Sequence, residues 1–184
     1  MTWFENGLVR WGFNDIPPTR EIEILTAEFC NMFSLFFAPI RLEMHRKAGD
    51  VEITLDSIGK IPSVVKQYGH ANRPITVLCK SRVRKTNGMI FEELEAPGDG
   101  ADASIYVGLD DRGSLFVTLQ LDSDEWLKDD TDPEWLTVFN NCLKEAVRVL
   151  GVAEVVCDCL DPAANELVDE NGFSEQMFRR LSSQ

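Results

Sequence analysis

Residues 103–121 read Ala-Ser-Ile-Tyr-Val-Gly-Leu-Asp-Asp-Arg-Gly-Ser-Leu-Phe-Val-Thr-Leu-Gln-Leu. Apolar and polar side chains alternate on both sides of Asp111-Arg112-Gly113, and a period of two marks a strand with one buried face. With Gly113 in the left-handed position of the turn, Asp110 falls opposite Ser114. That register puts Ile105, Val107 and Leu109 on one face with Leu115, Val117, Leu119 and Leu121. Ser104, Tyr106, Thr118 and Gln120 take the other. One covered face and one wet face belong to an antiparallel sheet.

Upstream, Ile75 to Lys85 and Met89 to Leu94 flank Asn87-Gly88, a favoured pair for a two-residue hairpin turn. Such a turn sets Arg82 opposite Glu93 and Lys80 opposite Glu95. Opposite charges across strands contribute up to about 1 kcal/mol, so the basic run is neutralised by its neighbour rather than offered to nucleic acid. Arg41 to His45 and Val51 to Asp56 alternate around 47–50 and predict another hairpin.

Helices fill the gaps. Ile22, Leu25, Phe29, Met32, Phe33 and Phe36 recur at steps of three and four, predicting a helix after Pro17-Pro18-Thr19 that Pro39 ends. A short helix opens at Pro62 and stops at Gly69. Asp132-Pro133-Glu134 is a helix start with Asp as cap, and Gly151 closes the helix after a stripe of Leu136, Phe139, Leu143, Ala146, Val147 and Leu150. Val152 to Cys159 reads as a strand, 161–172 as a short helix and Ser174 to Leu181 as a last helical turn or two. The expectation is a single α+β domain over 1–184. Its mostly antiparallel sheet of about five to seven strands packs against two longer helices and short C-terminal helices, with an internal loop at 96–102.

Charge bounds the partners. The 184 residues hold 31 acidic and 18 basic side chains, a net of −13. Residues 1–96 are balanced at 12 against 12, whereas 97–184 carry 19 acidic and 6 basic. Nucleic-acid backbone and anionic membranes are disfavoured, since both need clustered Lys and Arg. A basic protein partner is not. Eleven Phe and 44% apolar content exclude general disorder. Met1 to Asn6 lacks the basic start of a secretory signal, and the longest nearly apolar stretch, Met32 to Ile40, is far short of the roughly 20 residues that span a bilayer. Five scattered cysteines fit a reduced, cytoplasmic setting.

Familiar chemistry finds no motif. Cys157-Asp158-Cys159 lacks zinc-site spacing, and the segment from Asp122 to Asp132 lacks the Gly and terminal Glu of a calcium loop. His45 and His70, the two histidines, lie in no nucleophile–base pattern. No Gly-rich phosphate loop joins a strand to a helix. No catalytic residue, metal or cofactor is expected.

The order helix–Gly151–strand–Asp161-Pro162-Ala163-Ala164-Asn165–helix–Glu170-Asn171-Gly172-Phe173 resembles the last quarter of the GNAT family of acyl-CoA-dependent N-acetyltransferases, whose tails run strand, short helix, Gly-Phe, strand. The resemblance covers roughly residues 143–175 and implies a divergent acetyltransferase as an alternative function. The chain departs from that family at the pyrophosphate loop. Leu121 to Glu134 stands there with seven acidic residues and one Lys, a composition that repels pyrophosphate.

That acidic segment supplies the leading expectation. Trp126 among carboxylates makes a protein-binding patch, the ring giving anchor area and the acids steering a basic partner. Asp122, Asp124, Glu125, Trp126, Asp129, Asp130 and Asp132 are the candidate contact residues. The expected function is a cytoplasmic, non-enzymatic immunity protein that binds a basic toxin such as a nuclease and occludes its active site. A chaperone or adaptor for a secreted effector is a further alternative.

Overall fold

In chain order the elements are β1 (Leu8–Ile16), α1 (Ile22–Met32), β2 (Phe37–Met44), β3 (Val51–Thr54), α2 (Ile61–Gln67), β4 (Ile75–Arg84), β5 (Ile90–Glu92), β6 (Ala103–Leu109), β7 (Leu115–Asp122), α3 (Pro133–Leu150), β8 (Val155–Cys159), β9 (Val168–Asp169), β10 (Gly172–Phe173) and α4 (Glu175–Ser182). The computed structural model describes residues 8–46, 48–68, 73–92, 101–160, 162 and 164–183. An eight-stranded sheet runs β3-β2-β4-β6-β7-β1-β8, with β5 pairing the far end of β4, and every pairing is antiparallel. The protein is an α+β domain, as the hairpins require. The β6–β7 register matches expectation: Asp110 N donates to Ser114 O at 2.9 Å, and Leu109 faces Leu115.

Helices α1 and α3 pack on the same face of the sheet. Phe29 of α1 meets Phe13 at 5.2 Å between ring centres, and Phe139 of α3 meets Trp11 at 5.3 Å. Asp132 caps α3 by accepting from Glu134 N at 2.9 Å, and Gly151 ends it in the left-handed region at φ +68°.

Four local expectations need correction. The first is β1, for which no strand was expected. Gly12 and Asn14 dilute its β-propensity, yet β7 and β8 flank it, and Val9, Trp11 and Phe13 are completely buried on the face that the helices cover. The second is α1, which ends at Met32 instead of running to Pro39. Phe33 and Phe36 keep their helical phase because the following turn folds back onto the same core. Pro39 lies inside β2 at a bulge, beyond the residues paired to β3, where its missing N–H costs no ladder bond.

Third, the β4–β5 turn has three residues. Lys85 N donates to Met89 O and Gly88 N to Lys85 O, both at 2.8 Å, with Gly88 at φ +81°. Arg82 therefore faces Glu92, one position from the expected register, and Glu93 and Glu95 lie outside the described residues.

Fourth, no helix spans 161–172 among the described residues. A turn at 164–167 leads into the separate β9–β10 hairpin, which buries Val168 and Phe173. Phe173 is followed by α4 and not by a strand, so the tail departs from the acetyltransferase order. No helix among the described residues is long and apolar enough to cross a membrane.

Candidate protein-binding surface

The acidic segment 122–134 is turned largely onto this chain's own cations. Lys85, 7% exposed, donates from Nζ to Asp130 Oδ1 at 3.0 Å, to Glu125 Oε2 at 3.3 Å and to the Glu125 carbonyl at 3.2 Å. Glu125 also holds Lys128 Nζ. Arg84 reaches Asp132 Oδ2 at 2.7 Å and Glu134 Oε2 at 2.9 Å, and its guanidinium lies 5.2 Å from the Trp135 ring centre. Asp129 takes Arg180 Nε at 2.7 Å. Asp122 accepts from Asp124 N at 3.0 Å, and the Asp124 side chain is exposed.

Trp126 is not a surface anchor. Its exposure is 0%, and it stacks on Phe173 at 5.6 Å with 10° between the planes. Phe36, Phe37 and Phe139 surround it as well, and its Nε1 has no hydrogen-bond partner. A ring of this size adds more by filling the junction of α3, β2 and the β9–β10 hairpin than by standing in water. The seven expected contact residues thus divide. Glu125 and Asp130 gather on Lys85, Asp132 on Arg84 and Asp129 on Arg180, while Asp122 and Asp124 form a local turn and Trp126 enters the core.

A second acidic surface lies beside β8. A groove of about 800 Å³ follows the outer edge of β8, with Val147 of α3, Val155, Cys157, Glu154, Asp169 and Glu170 in its walls. β8 ends the sheet and pairs with β1 alone among the described strands. Leu160 N donates to Leu8 O at 3.0 Å, and Arg10 faces Asp158 and Gly12 faces Val156. Antiparallel pairs alternate between bonded and non-bonded, so Val156 and Asp158 point their N–H and C=O groups at β1. Val155 and Cys157 point theirs outward along the groove, where no described residue meets them.

The β9–β10 wall is held at fixed points. Trp11 Nε1 donates to Asp169 O at 2.8 Å. Asn140 of α3 donates to Phe173 O and accepts from Phe173 N, both at 2.8 Å. Gly172 is at φ +112°, and a Cβ there would stand 2.1 Å from Asn140 Oδ1, so the clamp needs glycine on both counts.

Among the described residues the groove's charge lacks compensation. From 149 to 178 the chain has seven Asp and Glu and no Lys or Arg, a pattern visible in the sequence once runs empty of cations are sought. Among the described acids of this run, Asp158 pairs with Arg10 at 3.7 Å and Glu175 with Arg179 at 2.8 Å, whereas Glu154, Asp169 and Glu170 meet no cation. Cys157 senses this field: burial, Cys159 and the carboxylates of Asp169, Asp158 and Glu170 push its thiol up to about 12.

Other chemistry is sparse. His45 is exposed with Nδ1 3.2 Å from Asp50, and His70 lies outside the described residues. The cysteines are free thiols, and no group of three or more His, Cys, Asp or Glu among the described residues is placed to hold a metal ion. Comparison with protein-family models, curated proteins and solved structures gives no match, so no relative assigns a role to these residues.

Proposed function

We propose that this protein works by binding a basic protein, as an immunity protein that neutralises a toxin by covering its active site. The observation that carries the reading is the groove beside β8, where Glu154, Asp169 and Glu170 meet no cation among the described residues next to an open sheet edge. A surface that holds nucleic-acid phosphates carries clustered Lys and Arg, so a nuclease is the kind of target that an acidic groove attracts. Complementary charge speeds encounter toward about 10⁸ M⁻¹s⁻¹ at low salt, which suits a protein that must reach its target before damage is done. The contact surface proposed here is the β8 groove. Segment 122–134 adds long-range field with most of its charge already paired.

The test is co-expression with the product of the adjacent gene. That product alone should arrest growth, this protein should restore it, and the E154K/D169K/E170K variant should not. A neighbour that is harmless when expressed alone, or full rescue by the charge-reversed variant, would remove the reading.

A further inference from the structure

We infer that the partner is bound by strand addition: an extended, basic segment of the partner pairs with the free edge of β8 and becomes a further strand of the sheet. This rests on the groove being the contact surface and specifies how it is used. Three observations meet there. The hydrogen-bond phase of the β1–β8 ladder leaves the N–H and C=O groups of Val155 and Cys157 directed outward, a donor–acceptor pattern that an incoming backbone matches. The groove along that edge, about 800 Å³, has room for a strand, whose residues advance roughly 3.3 Å each. Its charge is negative and, among the described residues, uncompensated at Glu154, Asp169 and Glu170, so Lys or Arg on the incoming segment would lie against carboxylates.

Edge strands of natural proteins are commonly protected by charge, proline or a covering element, because an open edge invites pairing. Carboxylates beside β8 discourage a second copy of this acidic chain while admitting a cationic strand. The occupant is therefore a basic partner segment and not a second copy of the protein.

The probe is a capped alternating Lys–Val octapeptide titrated into the ¹⁵N-labelled full chain, with amide exchange read residue by residue. The amide protons of Val155 and Cys157 should gain at least about tenfold protection, whereas Val156 and Asp158, already bonded to β1, should change little. Cys157→Pro deletes an outward N–H without touching the β1 ladder and should weaken the peptide about fivefold, the loss of one net hydrogen bond. Should that variant fold poorly, E154Q/E170Q serves in its place, weakening the peptide and flattening its salt dependence while keeping the protection pattern. Peptide-induced shifts at Glu154, Asp169 and Glu170 without protection at Val155 and Cys157 would overturn strand addition and leave the acidic groove as a binding surface. No shift in the groove at millimolar peptide would overturn both. Protection of β8 in a peptide-free dimer would overturn the assignment of the occupant in favour of a second copy.

Discussion

Replacing Lys85 with methionine tests whether residues 125–130 are structural or free for a partner. Methionine keeps an apolar stem out to Cε and lacks only the ammonium, so stem packing near the Phe91 ring, whose centre lies 5.8 Å from Nζ, survives. The bonds to Asp130, to the Glu125 carboxylate and to the Glu125 carbonyl are lost. Removing one member of a fully buried ion pair costs about 3–5 kcal/mol. Here the Glu125 and Asp130 side chains are 24% and 60% exposed, so water recovers part of that loss and about 1–2 kcal/mol remains. For a chain of this size the melting temperature should fall by about 3–6 °C. Urea denaturation at constant m-value measures the loss directly, and the K85M/E125Q cycle should give a coupling of about 1 kcal/mol. A K85M variant within about 0.5 kcal/mol of the parent, with no coupling, would refute the structural role. The two carboxylates would then return to the surface available for binding.

Other expected outcomes follow from single contacts. Asn140→Ala leaves both backbone groups of Phe173 unpaired, costing about 1–3 kcal/mol, and hydrogen exchange at 168–173 should accelerate before exchange elsewhere. Trp126→Ala should cost about 3–5 kcal/mol as a core truncation, and a Trp126→Phe variant should lose a blue-shifted emission component; a red-shifted one would place the ring in water. Cys157 should react slowly with iodoacetamide at neutral pH, and D169N/E170Q should speed it by lowering the local negative potential; an unchanged rate would count against the groove's field. Burial raises the Asp102 carboxyl, against which the Ser81 N–H and hydroxyl, each at 2.5 Å, act in the opposite direction. A carboxyl raised on folding contributes stability below its unfolded value of about 3.9, and that stability is lost as pH climbs through the folded value. Asp102→Asn should therefore flatten the stability curve just above pH 4, and an unaltered slope would contradict the assignment.

Where local chemistry dictates local structure, the sequence was sufficient. The β6–β7 register followed from alternation and one turn glycine, and the ends of α3 followed from Asp132 and Gly151, since these signals act over four or five residues. The sequence also showed that the negative charge lies beyond Pro97. Tertiary structure decided what depends on distant partners. β1 is a strand because β7 and β8 receive it, and the three-residue turn moved Arg82 to face Glu92. The same holds for the two acidic runs. Segment 122–134 looked like the contact surface, but Lys85 and Arg84, some 40 to 50 residues away in the chain, fold against it and draw Trp126's neighbours inward. The run from 149 to 178 holds as many acids, yet no described cation reaches Glu154, Asp169 or Glu170, and the sheet ends beside them. Composition counts charges, but only the fold determines which of them meet a counterion, because Coulomb attraction depends on separations that chain order does not record.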